Sequence, residues 1–253
     1  MLPKLPASQA GAKSCKTVAD RVGWAFASGY QAALRVLVPD LPADRICALC
    51  VTEEDGNSPK AIKTTLRRNT SGLIQDGAKR WTTLGPEGGL FLVAARDAET
   101  ASKRPSLKVA RVASDADGVR VDESAVLPGD GYDEYVKRFR TVEAIHVQAA
   151  ILSYLMREAQ RLSWPENWIE RLSALLAALG KIADMPASEA ETHVALAGAL
   201  AISGGLIGEA EPFWMKSAAD PAALRWARDR ELLKAAGTAR EQRTKRARER
   251  LRG

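Results

Sequence analysis

Two cysteines three positions apart, Cys47 and Cys50, are a pair whose type and spacing could hold zinc or cycle between dithiol and disulfide. Neither chemistry is completed. A structural zinc site needs four ligands, the chain has no second Cys pair, and its two histidines, His146 and His193, are remote in sequence. In a strand, positions i and i+3 point to opposite faces, so the two thiols would not converge on one metal. Three cysteines also make no even disulfide framework; the pair is read as reduced and structural, and no metal is expected. A second constellation is richer. Thr52 and Ser58 flank a turn, and Lys79-Arg80-Trp81-Thr82-Thr83 follows further on. Threonine hydroxyls supply hydrogen-bond donors and a Trp indole supplies a flat apolar surface with one N–H, a combination that can serve a planar ligand with a polar edge, although taken singly Trp81 reads as a half-buried strand residue and Thr52 and Thr83 as β-propensity choices.

The elements that must position these residues follow from composition and periodicity. With 253 residues, 46% of them hydrophobic, the chain can build one large or two small cores. Its 12 prolines and 19 glycines show no period, which excludes collagen-like and low-complexity classes. Residues 1–14 read as a flexible arm. Val22, Phe26, Tyr30, Ala33 and Leu37 recur at steps of three and four, giving an amphipathic helix over 18–38 stopped by Pro39 and Pro42, within a segment 15–44. Strand-like runs then fill a β domain, 45–131, at 46–52, 63–67, 72–75, 79–83, 90–95 and 107–113. Asp76-Gly77 is expected to turn a hairpin between two of them. A C-terminal bundle, 132–253, follows, with a first helix striped by Val142, Ile145, Ala149, Leu152, Met156 and Ala159, then helices over 165–183, 188–203 and 221–250. The expected class is therefore α+β: a central domain of antiparallel sheets between an N-terminal helix and a four-helix bundle.

The formal charge of +6 is unevenly placed. Residues 225–253 carry eleven Lys or Arg against four acids, and the remainder is nearly neutral. No aromatics interleave with these cations after Trp226, so the tail reads as a solvated helix end with no specific nucleic-acid role. The uncharged stretch 192–208 is broken by Gly198, Gly204, Gly205 and Gly208 and contains His193, which argues for a buried helix ending in a glycine loop and against a membrane span. The first six residues offer no apolar run of signal-peptide length, so a cytoplasmic location is expected.

Thr52-Glu53 at a strand end, a glycine-containing turn with Ser58, Asp76-Gly77, Lys79-x-Trp81-x-Thr83 and the run Leu90-Phe91-Leu92-Val93-Ala94-Ala95-Arg96 together resemble, in order, the middle domain of the acyl-CoA dehydrogenases. Ile202-Ser203-Gly204-Gly205, Arg228-Asp229 and Gly237-Thr238 extend the resemblance into the bundle, so that it covers about 46–243, and Arg161-x-x-Trp164 is a weaker echo. The resemblance implies bound FAD, with Thr52, Trp81 and Thr83 on the isoalloxazine and Ser58 near cofactor or CoA phosphates. Gly204 and Gly205 would meet the ADP part of a neighbouring subunit's cofactor, making the protein a homodimer or larger. It also implies an acyl-CoA substrate oxidised at its α,β carbons and an electron-transfer flavoprotein as a possible partner. The turn Glu54-Asp55-Gly56-Asn57-Ser58-Pro59 departs from the family pattern by its extra acids.

That reaction needs a carboxylate to take the proton beside the thioester carbonyl. Ala235-Ala236-Gly237-Thr238 has no acid where many relatives carry one; some relatives supply it from the first bundle helix, so the resemblance implies Glu143 before Glu134, while the residues alone also read as solvated or ion-paired helix glutamates. A different reading stays open: a non-catalytic subunit or acyl-CoA-binding relative that keeps the fold without the base. By the same resemblance, the helical domain that usually precedes the β domain would be reduced to the one helix over 18–38.

Overall fold

The computed structural model describes residues 20–70, 72–99, 106–114, 120–234 and 237–252, with the backbone alone at 234 and 237–243. The arm read over 1–14 lies outside the described residues, as do Ala235 and Ala236. The chain divides into two compact units, one of residues 37–140, the other of residues 1–36 together with 141–253.

The first of these is a six-stranded mixed sheet. Its strands are β1 (Cys47–Cys50), β2 (Thr65–Asn69), β3 (Gly72–Asp76), β4 (Leu90–Asp97), β5 (Leu107–Ala113) and β6 (Arg120–Val121). β4 is the hub. It runs parallel to β1 from Cys47↔Leu90 to Cys50↔Val93, parallel to β2 at Thr65↔Arg96, and antiparallel to β5 along its length. The α+β class holds, but the two parallel pairings make the sheet mixed where antiparallel pairing was expected. Leu90, Leu92, Val93, Ala94 and Ala95 are all buried, the near-continuous apolar run of a strand covered on both faces.

Two local expectations are corrected. No strand forms over 79–83, because Trp81 and Leu84 have φ of 59° and 56°, outside the extended region. The hairpin turns at the other end of β3, where β2 and β3 pair from Thr65↔Asp76 to Asn69↔Gly72. Gly77 serves a different need. Its φ is 151°, and a Cβ there would lie 2.4 Å from Thr64 Oγ1 and 2.6 Å from Thr64 Cα. Gly77→Ala is therefore expected to destabilise the protein by about 1–3 kcal/mol, the scale of overpacking and backbone strain. Thermal unfolding followed by circular dichroism checks this, and an unchanged midpoint would contradict it.

The second unit is helical. Its elements are α1 (Val22–Leu37), which ends at the unit boundary, α2 (Lys137–Arg161), which enters from a π-helical turn at Gly131–Val136, α3 (Glu166–Ala183), α4 (Ala190–Glu209), α5 (Glu211–Lys216), α6 (Pro221–Asp229) and α7 (Gly237–Arg252). α1 crosses α2 closely at Gly29, where a Cβ would sit 2.6 Å from Val147 Cα. The core gathers Leu152, Tyr154 and Leu155 of α2, Trp168, Leu172 and Leu179 of α3, Leu196 and Leu206 of α4, and Trp214 and Trp226. Trp164 meets Trp168 and Trp214 edge-on at ring separations of 5.1 and 4.9 Å, and Trp214 stacks on Trp226 at 5.4 Å.

The glycine loop expected to close the fourth element is corrected too, since α4 stays helical through Gly204, Gly205 and Gly208. Packing outweighs the glycine penalty of about 1 kcal/mol each. Leu206 is buried, its carbonyl accepts from Trp168 Nε1 at 3.1 Å, and Ser203 Oγ accepts from Gln148 Nε2 at 2.6 Å. By length and composition the stretch Ala190–Lys216 is apolar enough to cross a membrane, with mean hydropathy 1.4. It is divided here between α4 and α5 and contributes Leu196, Ala199, Leu206 and Trp214 to the core. The helix read over 221–250 is likewise broken, by a 3-10 turn at Arg230–Lys234.

Candidate functional site

The chain leaves β1 at Cys50 and forms a tight turn in which Glu53 N donates to Gly56 O at 2.9 Å and Gly56 N returns to Glu53 O at 3.1 Å. Gly56 takes φ 115°, which glycine alone adopts cheaply. The turn directs the Glu53 side chain inward, where it is 6% exposed. Its carboxylate accepts four hydrogen bonds: Lys63 N at 2.6 Å, Thr64 N at 3.0 Å, Thr64 Oγ1 at 2.7 Å and Lys79 Nζ at 2.7 Å. Burial alone would raise the Glu53 pKa, but these donors, Lys79 foremost, hold it down to about 2. For Lys79 the balance is reversed. Burial pulls its pKa below the usual lysine range although Glu53 and Cys50 oppose the shift. Such a pair fixes geometry more than it adds stability.

What it fixes is the approach of two loops. Lys79 Nζ also donates to Val51 O at 3.3 Å, and Arg80 N donates to Thr52 O at 2.8 Å, so the segment from Lys79 lies against the chain leaving β1. The structure thereby brings Thr52 beside the loop that carries Trp81 and Thr83. Thr52 and Thr83 are half-buried, and Trp81 is 85% exposed on a left-handed backbone. A Trp in that conformation costs about 1–3 kcal/mol and persists only where its surroundings enforce it, and such residues concentrate at ligand sites. Thr82 bonds the Cys50 thiol, whose pKa burial pushes up against that bond and the nearby Lys79 charge. Cys47 and Cys50 are both free and buried.

The remaining sequence-derived residues are placed elsewhere. Ser58 is exposed, and its carbonyl caps the turn by accepting from Ala61 N at 2.9 Å. Glu134 is exposed and hydrogen-bonded to Arg138 at 2.8 Å. Glu143 is half-buried on α2, between the buried Val142 and Ile145. Gly204 and Gly205 lie in the helical unit, exposed near the C-terminal end of α4, with open space where a Cβ would stand. Arg161 is spent internally, donating to Glu158 and Asp220. Glu53, Lys79 and Thr64 received no role from the sequence. The available signal was an acid directly after Thr52 and a lysine two before Trp81, opposite charges flanking the residues of interest.

An exposed indole, two half-buried threonines and two loops locked together by a buried ion pair fit a flat ring with a polar edge, the shape of a flavin. No protein-family model matches the chain. Benzylmalonyl-CoA dehydrogenase of Aromatoleum aromaticum is 35% identical over 88 residues, which is 34% of this chain and 22% of that protein, so the match spans under a quarter of the relative's length. Among solved structures, a putative acyl-CoA dehydrogenase from Mycobacterium smegmatis superposes with a TM-score of 0.59 at 14% identity, covering 90% of this chain and 75% of that one. Butyryl-CoA dehydrogenase from Megasphaera elsdenii gives a TM-score of 0.56 at 13% identity, covering 90% of this chain and 78% of that one. FMN-bound TdsC from Paenibacillus sp. A11-2 gives 0.60 at 13% identity, covering 88% and 82%. In fold, this chain is similar to the acyl-CoA dehydrogenases.

Proposed function

We propose that the protein is a flavoprotein that binds FAD without covalent attachment and oxidises an acyl-CoA thioester at its α,β carbons. The observation that carries this reading is Trp81, a large aromatic held exposed on a strained backbone beside Thr52 by the Glu53–Lys79 pair. FAD, when bound, supplies the hydride acceptor. Thr52 and Thr83 donate hydrogen bonds to the polar edge of the ring, Trp81 covers its apolar part, and Ser58 serves the phosphates. Glu143 takes the proton beside the thioester carbonyl. Calorimetric titration with FAD tests the reading: binding should be accompanied by a rise in melting temperature, because a ligand that binds only the folded state stabilises it. Absence of both heat and thermal shift would end it.

The same reading places Gly204 and Gly205 against the cofactor of a neighbouring copy, and their exposure on α4 leaves that backbone open to one. At least a homodimer is therefore expected. Sedimentation of the FAD-loaded protein at micromolar concentration checks it, and a monomer of 27.3 kDa would contradict it. A non-catalytic, acyl-CoA-binding role is the second reading, favoured by Ala236 standing where many relatives carry their Glu.

A further inference from the structure

α4 and α7 are badly matched as packing partners. From Thr192 to Gly208, α4 carries no charged residue, whereas the 16 residues of α7 include seven Lys or Arg and two Glu. Of the α7 side chains described, only Ala247 is buried. The two helices run together, and a groove of about 620 Å³ lies along them. Apart from His193, its floor, the lining from α2 and α4, is apolar, made of Ala144 on α2 and Leu196, Ala197, Leu200 and Ala201 on α4. Its rim is cationic. Lys245, Arg248 and Arg252 stand at i, i+3 and i+7, hence on one face of α7, with Glu249 the one acid among the lining residues. Among the described residues none of these three cations forms an ion pair.

We infer that this groove binds a single-chain amphiphile whose tail lies on the α4 floor and whose head is a phosphate monoester held by Lys245, Arg248 and Arg252. The inference stands apart from the flavin reading, since no residue of that site lines the groove. The volume falls within the roughly 300–1,000 Å³ of small-molecule sites. A bare anion would leave the leucine floor wet, and a neutral lipid would leave the cations without a partner. A phosphate monoester suits a rim with a net charge of two, because guanidinium forks bind its oxygens in pairs. A polynucleotide would meet the cations but could not use the floor.

Dodecyl phosphate, titrated below its micelle concentration in about 0.15 M salt to screen loose ion pairing, is the probe. The expected result is saturable binding at a single site, with 1-dodecanol, inorganic phosphate and CoA each weaker by about tenfold or more, the scale of one charge-assisted hydrogen bond. The double variant R248Q/R252Q should lose a similar factor for dodecyl phosphate while its affinity for dodecanol stays unchanged. Ala201→Trp, which fills the groove from an exposed helix position, should abolish binding of both, and circular dichroism confirms that each variant is folded. The proposal is overturned if dodecyl phosphate does not bind, if inorganic phosphate or CoA binds as tightly, or if Ala201→Trp binds normally.

Discussion

Replacing Glu53 by Ala is expected to destabilise the β unit by about 3–5 kcal/mol, because it strands the Lys79 ammonium, whose side chain is only 10% exposed, without its counter-charge. Two backbone N–H groups, of Lys63 and Thr64, lose their acceptor at the same time. Removing both charges with Glu53→Gln and Lys79→Met should recover much of the loss, since a buried pair exchanged for neutral groups of similar volume is often tolerated. If instead the double variant is no more stable than Glu53→Ala, the pair is not the source of the effect. A pH dependence follows with a definite sign. The Glu53 carboxyl is held near 2 in the folded state, against an ordinary value of 4.5. Its contribution is full above 4.5 and is lost as pH falls toward about 2. In that window the wild type should lose stability more steeply than Glu53→Gln, and parallel curves from denaturant titrations would contradict this.

Glu143→Gln is expected to slow reduction of bound flavin by acyl-CoA roughly a hundredfold or more, the scale of general-base catalysis. Gln keeps the size and removes the basicity. Glu143 is half-buried beside the apolar stripe of α2 and Glu134 is exposed, so Glu134→Gln should leave the rate close to wild type. Stopped-flow absorbance separates the two. Should Glu143→Gln reduce flavin at the wild-type rate, proton removal belongs to another group; should Glu134→Gln be the slow variant, the order of the two is reversed.

Much of this was legible in the sequence because periodicity reports burial. The stripes of α1 and α2, the extent of β5 and the start of α3 follow it closely, since each element buries one face or one continuous run. What failed was local propensity set against tertiary packing. Gly204 and Gly205 read as a helix end, yet Trp168 and Gln148 hold that turn helical through Leu206 and Ser203. Lys79 to Thr83 reads as a strand, yet the buried ammonium pins one end of the segment and the left-handed Trp81 prevents extension. Asp76-Gly77 reads as a hairpin, yet the glycine is there because Thr64 leaves no space for a side chain. Glu53 and Lys79 stand in the motifs, but their pairing was not legible because a charge in a sequence reads as solvent-exposed, and only the structure shows both buried.

The most direct test of the account is the visible absorption spectrum of the freshly purified protein, recorded again after incubation with FAD and removal of the excess. The account predicts the two bands of oxidised flavin, retained through gel filtration by the wild type and much diminished in Trp81→Ala, which removes the exposed ring while leaving the Glu53–Lys79 pair intact. A colourless wild-type protein that stays colourless after incubation with FAD would contradict it.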